Sequence, residues 1–238
     1  MGPLANQLRH DLVLQTRSLL YPATIISTSI IVLFILLLPL RPPSARLLAF
    51  LVFLDPATVG LAFVGAIVLV EKAQDTLSAL SVTPLRPWTY VASKAATLTL
   101  VTFGSGLTVV LFGAPPRLDV ARVLVALTLS SAVAVLMGIV CVAGSRSMNH
   151  LVMRLLWVTT LLYLPVVAHF DLARGMAAVA LSLIPSRAML LAIETALDPT
   201  AASSMAHMYA LAYLCLWVVV LGARALRDFE RAILNEGL

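Results

Sequence analysis

Long apolar runs separated by short polar stretches dominate the chain. Five of these runs are nearly free of charge and reach the roughly 20 residues that a helix needs to cross a hydrocarbon core of about 30 Å. They cover residues 20–40, 48–70, 95–113, 123–143 and 205–223. A sixth run, 151–168, is shorter and begins around Arg154, whose long stem lets its guanidinium reach the headgroups. The pattern predicts six membrane-spanning helices with both termini on the same side.

Composition supports the same class. Hydrophobic residues make up 61% of the 238 residues and charged residues 11%, whereas soluble domains carry about 25% charge. The mean hydropathy of +1.02 is also far above that of a soluble domain. We therefore predict an all-α integral membrane protein, a single transmembrane domain over residues 1–238, with the lipid bilayer as its surroundings.

The distribution of Lys and Arg predicts the orientation. With the N-terminus in the cytoplasm, ten of the 16 basic residues lie on cytoplasmic segments and six on outer ones. Cytoplasmic segments of membrane proteins are enriched in Lys and Arg. We expect a multi-pass protein of the cytoplasmic (inner) membrane with both termini cytoplasmic. The net charge of +5 then matches anionic headgroups, and no basic and aromatic pattern indicates nucleic acid.

Three segments outside the spans are distinctive. Residues 1–19 are polar without a cleavage site, which favours an interfacial helix over a disordered leader. Residues 224–238 continue the last span as an amphipathic cytoplasmic tail. Residues 169–204 contain apolar pieces too short to cross, which predicts a re-entrant broken segment on the outer side. The alternative, a full span through 175–193, places Arg187 within the membrane and moves the C-terminus outside.

One unambiguous charge, Asp55, falls inside the second span and precedes Pro56. An ionisable group there costs on the order of 2.5–3.5 kcal/mol on insertion scales, so it normally faces the protein interior or a watery cavity. Two interpretations stay open. Asp55 either lines a translocation path for a cationic or zwitterionic substrate, or serves structure by capping the proline break or pairing with Arg46 or Arg117.

Spans three and four carry further candidates. Span three is rich in hydroxyls, and Thr102 and Ser105 are candidates for the path, although such residues usually bond their own backbone. Span four places small residues on one face at four-residue spacing, which permits close helix packing within this chain or against a second copy. These packing residues are Ala126, Ser130, Ala134 and Gly138.

Several chemistries find no support in the sequence. No phosphate-binding loop G-x-x-x-x-G-K-[ST] occurs, so we expect no ATPase site and no cofactor in this chain. Cys141 and Cys215 lie in separate spans without nearby ligands and are predicted to be packing residues. His169 with Asp171 makes only a weak case for a metal or proton site. We therefore expect no catalytic and no metal-binding residues.

A polar segment, 71–94, separates the second and third spans. Its order of residues resembles the cytoplasmic coupling segment of ABC-2-type transporter permeases, and in particular that of small fluoroquinolone and multidrug-export permeases. The matching positions are Glu71, Thr76, Leu77, Leu80, Val82, Thr83, Pro84, Leu85, Arg86, Pro87, Trp88, Tyr90 and Lys94. Asp75 departs from the pattern, because that family usually has glycine there.

The resemblance implies the permease subunit of an ATP-driven exporter of a hydrophobic or amphipathic small molecule. In such a system two permeases, identical or paralogous, form the pathway, and separate ATP-binding subunits hold ATP and Mg²⁺. Residues from Lys72 to Ser81 would form a coupling helix, with Leu77 and Leu80 entering a groove on the ATPase. The alternatives are a haem- or lipid-exporting permease, or a membrane scaffold or sensor without an ATPase.

Overall fold

The computed structural model of the chain describes residues 20–39, 42–65, 87–143, 145 and 148–236. The predicted leader at 1–19 and the coupling positions from Glu71 to Leu85 lie outside the described residues. Within the described part, the secondary structure is helical and contains no strand, which confirms the all-α class.

Nine α-helices and one π-helical segment make up the described residues. In chain order they are α1 (Leu20–Leu37), α2 (Ala45–Asp55), the π-helical segment (Pro56–Phe63), α3 (Pro87–Gly113), α4 (Val120–Ala143), α5 (Met148–Tyr163), α6 (Pro165–His169), α7 (Met176–Ser182), α8 (Pro185–Leu197) and α9 (Ser204–Glu236).

Five stretches of these residues are helical, long and apolar enough to cross a membrane. They are Leu20–Leu37, Trp88–Gly113, Val120–Ala143, Asn149–His169 and Ser204–Arg231. Helices α7 and α8 meet at a bend of 88° and make a sixth only if the pair counts as one span. A proline at the first position of α8 explains the break, because it cannot continue the preceding helix but suits the start of a new one.

The second predicted span has a mixed conformation. It begins as α2 at Ala45, changes to the π-helical segment at Pro56, and remains helical to Gly65. Pro56 has no N–H and its ring crowds the preceding turn, so regular α-helical bonding cannot pass through it. A wider π-turn at this position is the local solution that the structure adopts.

Helix α4 lies at the centre of the bundle. In its apolar stretch of 18 residues, 61% of the residues are buried, against 22% in the corresponding stretches of α1 and α9. Helix α3, the π-helical segment, α8 and α9 all pack around it. Its buried residues extend from Val123, near its start, to Val142, near its end, so α4 lies in the core of the bundle along most of its length.

Large apolar side chains cover the outside of the bundle. Leu37 is 73% exposed, Trp157 70% and Val219 68%. A surface of this kind is rare on soluble monomers but is expected where the surroundings are lipid hydrocarbon. The exposed side chains therefore agree with the composition in making this a multi-pass membrane protein.

Candidate functional site

Asp55 lies at the junction of α2 and the π-helical segment and has no exposed surface. Its carboxylate accepts hydrogen bonds from the Ser27 hydroxyl at 3.1 Å and from the Thr28 hydroxyl at 3.2 Å, both on α1. A buried carboxylate needs such donors, because an unsatisfied charge in a low-dielectric interior is very costly. Asp55 thus joins α1 to the second span. Ser105 on α3 donates its hydroxyl proton to the Thr102 carbonyl oxygen at 2.9 Å.

Neither arginine considered from the sequence pairs with Asp55. Arg46 binds Asp171 and Glu194, and the Arg117 guanidinium donates to the Thr200 hydroxyl at 3.3 Å. These contacts lie at the α2 N-terminal end of the bundle. Asp55 comes nine positions after Arg46 on the same helix, a rise of about 14 Å at 1.5 Å per residue. The ion-pair alternative for Asp55 is therefore wrong.

A groove of about 800 Å³ runs between α1 and α3. Its walls are mostly apolar, and the exposure of Leu33 (55%) and Leu100 (62%) shows that it is open on one side. Thr28 and Ser105 also line it, and the Thr28 hydroxyl donates to the Asp55 carboxylate. Asp55 consequently lies behind the groove wall, with the Thr28 hydroxyl between its carboxylate and the groove.

The sequence candidates for the path fall in different places. Ser105 lines the groove, whereas Thr102 is 1% exposed and donates to the Leu98 carbonyl oxygen at 3.1 Å. Sequence reasoning missed Ser27 and Thr28. The signal available was a cluster of hydroxyl residues, Thr24, Ser27, Thr28 and Ser29, within an otherwise apolar span.

The small-residue face of α4 packs within this chain. A Cβ at Gly138 would lie 2.8 Å from the Leu61 carbonyl oxygen, and one at Gly60 would lie 3.1 Å from the Ala134 Cβ. Ala126 and Ser130 on the same face are also fully buried. Because small side chains let two helical backbones approach closely, this face is where the wide π-helical segment is accommodated. The sequence did not determine which helix packs on this face, and in the structure Ala134 and Gly138 pack against the second span.

Helix α3 extends beyond the predicted third span and starts at Pro87. Proline is favourable at the first turn of a helix, where its missing N–H costs nothing. Trp88 (47% exposed), Tyr90 and Lys94, which the sequence placed in the coupling segment, thus belong to this helix. We call this side of the bundle the Tyr90 end.

The C-terminal part of α9 packs at the Tyr90 end. The Phe229 and Tyr90 rings stack with centroids 4.7 Å apart and planes 13° apart. The Lys94 ammonium lies 5.2 Å from the centre of the Tyr90 ring, and Lys94 is 1% exposed. The apolar side of the predicted tail therefore faces the protein, directly against the helix that follows the polar segment.

A cluster of charges closes the opposite side, which we call the Arg46 end. Arg46 contacts the Asp171 carboxylate, and its Nε lies 3.4 Å from Glu194. His169 contacts the Arg46 carbonyl oxygen through Nε2 at 3.0 Å and the Arg187 guanidinium through Nδ1 at 3.3 Å. These partners favour the neutral tautomer with the proton on Nε2. The cluster joins the start of α2 to α6 and α8.

Metal binding finds no support in the described part of the chain. It contains no group of three or more His, Cys, Asp or Glu residues placed to hold an ion. His169 is 1% exposed and is engaged by Arg46 and Arg187. Nearby, hydrogen bonds from the Thr200 hydroxyl and N–H hold the pKa of Asp198 below its ordinary value. The polar groups at this end thus bind one another.

Comparison with known proteins gives the family. A model of the fluoroquinolones export permease protein family matches residues 2–237. Two curated relatives, both described as fluoroquinolones export permease proteins, come from the CDC 1551 and H37Rv strains of Mycobacterium tuberculosis. Each is 36% identical over 100 residues, a stretch that covers 41% of this chain and 41% of the relative. No solved structure matches. The chain belongs to the fluoroquinolones export permease protein family.

Proposed function

We propose that this protein is the transmembrane subunit of an ATP-driven ABC exporter that moves amphipathic, drug-like molecules out of the cell. The observation that carries the proposal is the family match over residues 2–237, on a bundle of membrane-length helices. The sequence has no phosphate-binding loop of its own, so ATP and Mg²⁺ belong to a separate ATP-binding subunit. The chain is a transport subunit and not an enzyme.

The partner subunit docks on the segment between Glu71 and Leu85. Helical spacing puts Leu77 and Leu80 on one face, because residues three apart are neighbours on a helix. Thr83 and Pro84 would end such a helix, because proline disfavours helical geometry in the residue before it. Asp75 adds a negative charge that a basic residue of the partner would meet. Glu71, Thr76, Trp88 and Lys94 complete the coupling region.

Movement of this coupling helix reaches the spans through the Tyr90 end. Helix α3 starts at Pro87, within the polar segment 71–94, and its first turns place the Tyr90 ring against Phe229 of α9, with Lys94 over the Tyr90 ring. A push on the coupling helix therefore displaces α3 and α9 together. ATP binding would in this way bias the bundle between inward-open and outward-open states.

The arrangement in the cell follows from the same proposal. Two permease chains, identical or paralogous, line the pathway in the inner membrane. The Tyr90 end faces the cytoplasm, where both termini are expected, and α7 and α8 form the re-entrant pair at the outer face, closed by the Arg46 cluster. Among the path candidates, Ser105 lines the α1–α3 groove and Asp55 lies directly behind its wall, whereas Thr102 does not line it, so Ser105 and Asp55 are favoured.

The test is purification of the tagged chain from native membranes in mild detergent, followed by identification of its partners by mass spectrometry. We expect an ATPase with Walker motifs to accompany the wild type. Changing Leu77→Glu together with Leu80→Glu puts two charges into the docking face and should remove that ATPase. A second permease in the sample would show a heterodimer.

A matched control carries the same two added charges on the other side of the coupling helix. Ser78→Glu with Ala79→Glu meets this requirement, because each lies roughly 130° from the centre of the Leu77 and Leu80 face at 100° per residue. This variant should retain the ATPase. Absence of any ATPase from the wild-type sample, in detergent that preserves a known ABC complex, would refute the proposal and favour a scaffold or sensor.

A further inference from the structure

The groove between α1 and α3 has the dimensions and character of a small-molecule site. Its volume of about 800 Å³ falls within the range of about 300–1,000 Å³ typical of ligand pockets. Ile25, Leu33, Leu100 and Phe112 supply apolar walls. Such sites usually combine an apolar lining with a few polar groups that orient the ligand, and the groove has both features.

One polar group of the groove contacts a buried carboxylate. Thr28 and Ser105 line the groove, and Thr28 donates its proton to the Asp55 carboxylate while Ser105 donates to the Thr102 carbonyl oxygen. Each hydroxyl keeps oxygen lone pairs that can accept a hydrogen bond from a ligand. A donor in the groove can therefore bind these hydroxyls while the carboxylate stands directly behind that of Thr28.

Among the described residues, no positively charged side chain forms an ion pair with the Asp55 carboxylate. The side chains of that part of the chain that hydrogen-bond to it are Ser27 and Thr28. Ionisable groups inside membrane spans normally pair with an opposite charge or face a watery cavity. The charge complement to Asp55 is thus available to a ligand in the groove.

We infer that the α1–α3 groove binds an amphipathic organic cation, with its protonated amine on Thr28 and Ser105 in front of Asp55 and its apolar rings along Leu33 and Leu100. This inference rests on the proposed function, since it names the substrate class of the exporter. Interactions between opposite charges are strong here because the surroundings are of low dielectric. A neutral molecule of the same shape would gain only the apolar contacts.

Gly104 offers a way to fill the groove without disturbing the bundle. It lines the groove, and a Cβ built on it meets nothing within 4 Å. Gly104→Leu therefore occupies space where the ligand would lie, and glycine replacement also favours the helix. Gly222 on α9 is the matched control, because it too is a helical glycine with open space around its Cβ and lies outside the groove.

The experiment measures binding of two fluorescent probes to the purified full chain in lipid nanodiscs, without ATP. The probes are 9-aminoacridine, which is a cation at neutral pH, and acridine, its neutral analogue. We expect the wild type to prefer the cation by about tenfold or more, the effect of one charge-assisted hydrogen bond. Gly104→Leu should weaken both probes by at least about tenfold, whereas Gly222→Leu should leave both unchanged.

Asp55→Asn tests the charge and keeps the shape of the side chain. It should abolish the preference for 9-aminoacridine while acridine still binds, and retained acridine binding shows that the variant is folded. Unchanged binding of both probes in Gly104→Leu would exclude the groove. A persistent cation preference in Asp55→Asn would exclude the carboxylate as its partner. The inference is overturned if the wild type binds neither probe and a lipid that co-purifies with it is lost in Gly104→Leu. That result would show that the groove is a lipid site.

These outcomes are independent of the ATPase. Binding is measured on the permease itself, so loss of the coupling proposal would leave the groove result standing. Conversely, if an ATPase partner is confirmed but Gly104→Leu binds both probes normally, the exporter proposal stands and the proposal of a binding site in the groove fails. The two proposals can therefore fail separately.

Discussion

Gly138 is the position where one added methyl group should disturb the bundle most directly. Its Cβ would lie 2.8 Å from the Leu61 carbonyl oxygen and 2.9 Å from the Val64 Cβ. Both distances are well below the roughly 3.5–4.0 Å at which carbon atoms pack best. The nearer obstacle is backbone, which no side-chain rotation can move. Gly138→Ala must therefore push the second span away from α4.

The size of the effect follows from two opposing contributions. Overpacking a dense interior costs about 1–3 kcal/mol, whereas replacing a helical glycine by alanine gains up to about 1 kcal/mol in helix propensity. At Gly104, where a Cβ meets nothing within 4 Å, only the gain operates. We expect Gly138→Ala to have a free energy of unfolding lower than that of Gly104→Ala by about 1–3 kcal/mol. The unfolding midpoint should fall by on the order of 5 °C.

The assay is thermal unfolding in detergent, followed with a coumarin maleimide that fluoresces when it reacts with a thiol. Cys141 is 7% exposed and reports unfolding, provided that the exposed Cys215 is first changed to serine. All variants are compared in that Cys215→Ser background. Equal midpoints for Gly138→Ala and Gly104→Ala would refute the close approach of α4 and the π-helical segment.

Three further predictions use the same protein. Phe229→Ala removes a ring that is 4% exposed and stacked on Tyr90, so the free energy of unfolding should fall by about 3–5 kcal/mol. The control Phe229→Leu should lose less than about 1.5 kcal/mol, and equal losses in the two variants would contradict the stack. Arg46→Met removes a cation shared by two carboxylates, but its 43% exposure limits the expected loss to about 1 kcal/mol in the melting assay. Maleimide labelling of the native protein, located by peptide mass spectrometry, should modify Cys215 well before Cys141, and the reverse order would contradict the packing of α4.

The fold class was predictable because the bilayer imposes it. Apolar runs such as 123–143 and 205–223 have the length and composition of spans, and helices occupy both positions. Helix ends were less predictable. The break at Pro56 became a π-helical segment, and α3 began at Pro87, before the predicted start at 95. Proline permits either a kink or a new helix start, and the packing around it selects between them.

The candidate site was only half visible in the sequence. Asp55 stood out because charge is rare in a span, and Ser105 was one of several hydroxyls. Ser27 and Thr28 were missed, since their contact with Asp55 joins residues about 27 positions apart in the chain. The residues from Glu71 to Leu85 were readable only as a resemblance, and their role stays a prediction.

The sequence by itself determined that this protein is a helical membrane protein and indicated its relatives, because hydrophobic length and residue order are properties of the linear chain. Tertiary structure alone decided that the small face of α4 receives the second span, that Phe229 packs on Tyr90, and that Asp55 lies behind a groove between α1 and α3. Every helix in lipid has several apolar faces of similar character. Which faces meet depends on the mutual fit of all the helices, and one-dimensional periodicity does not contain that information.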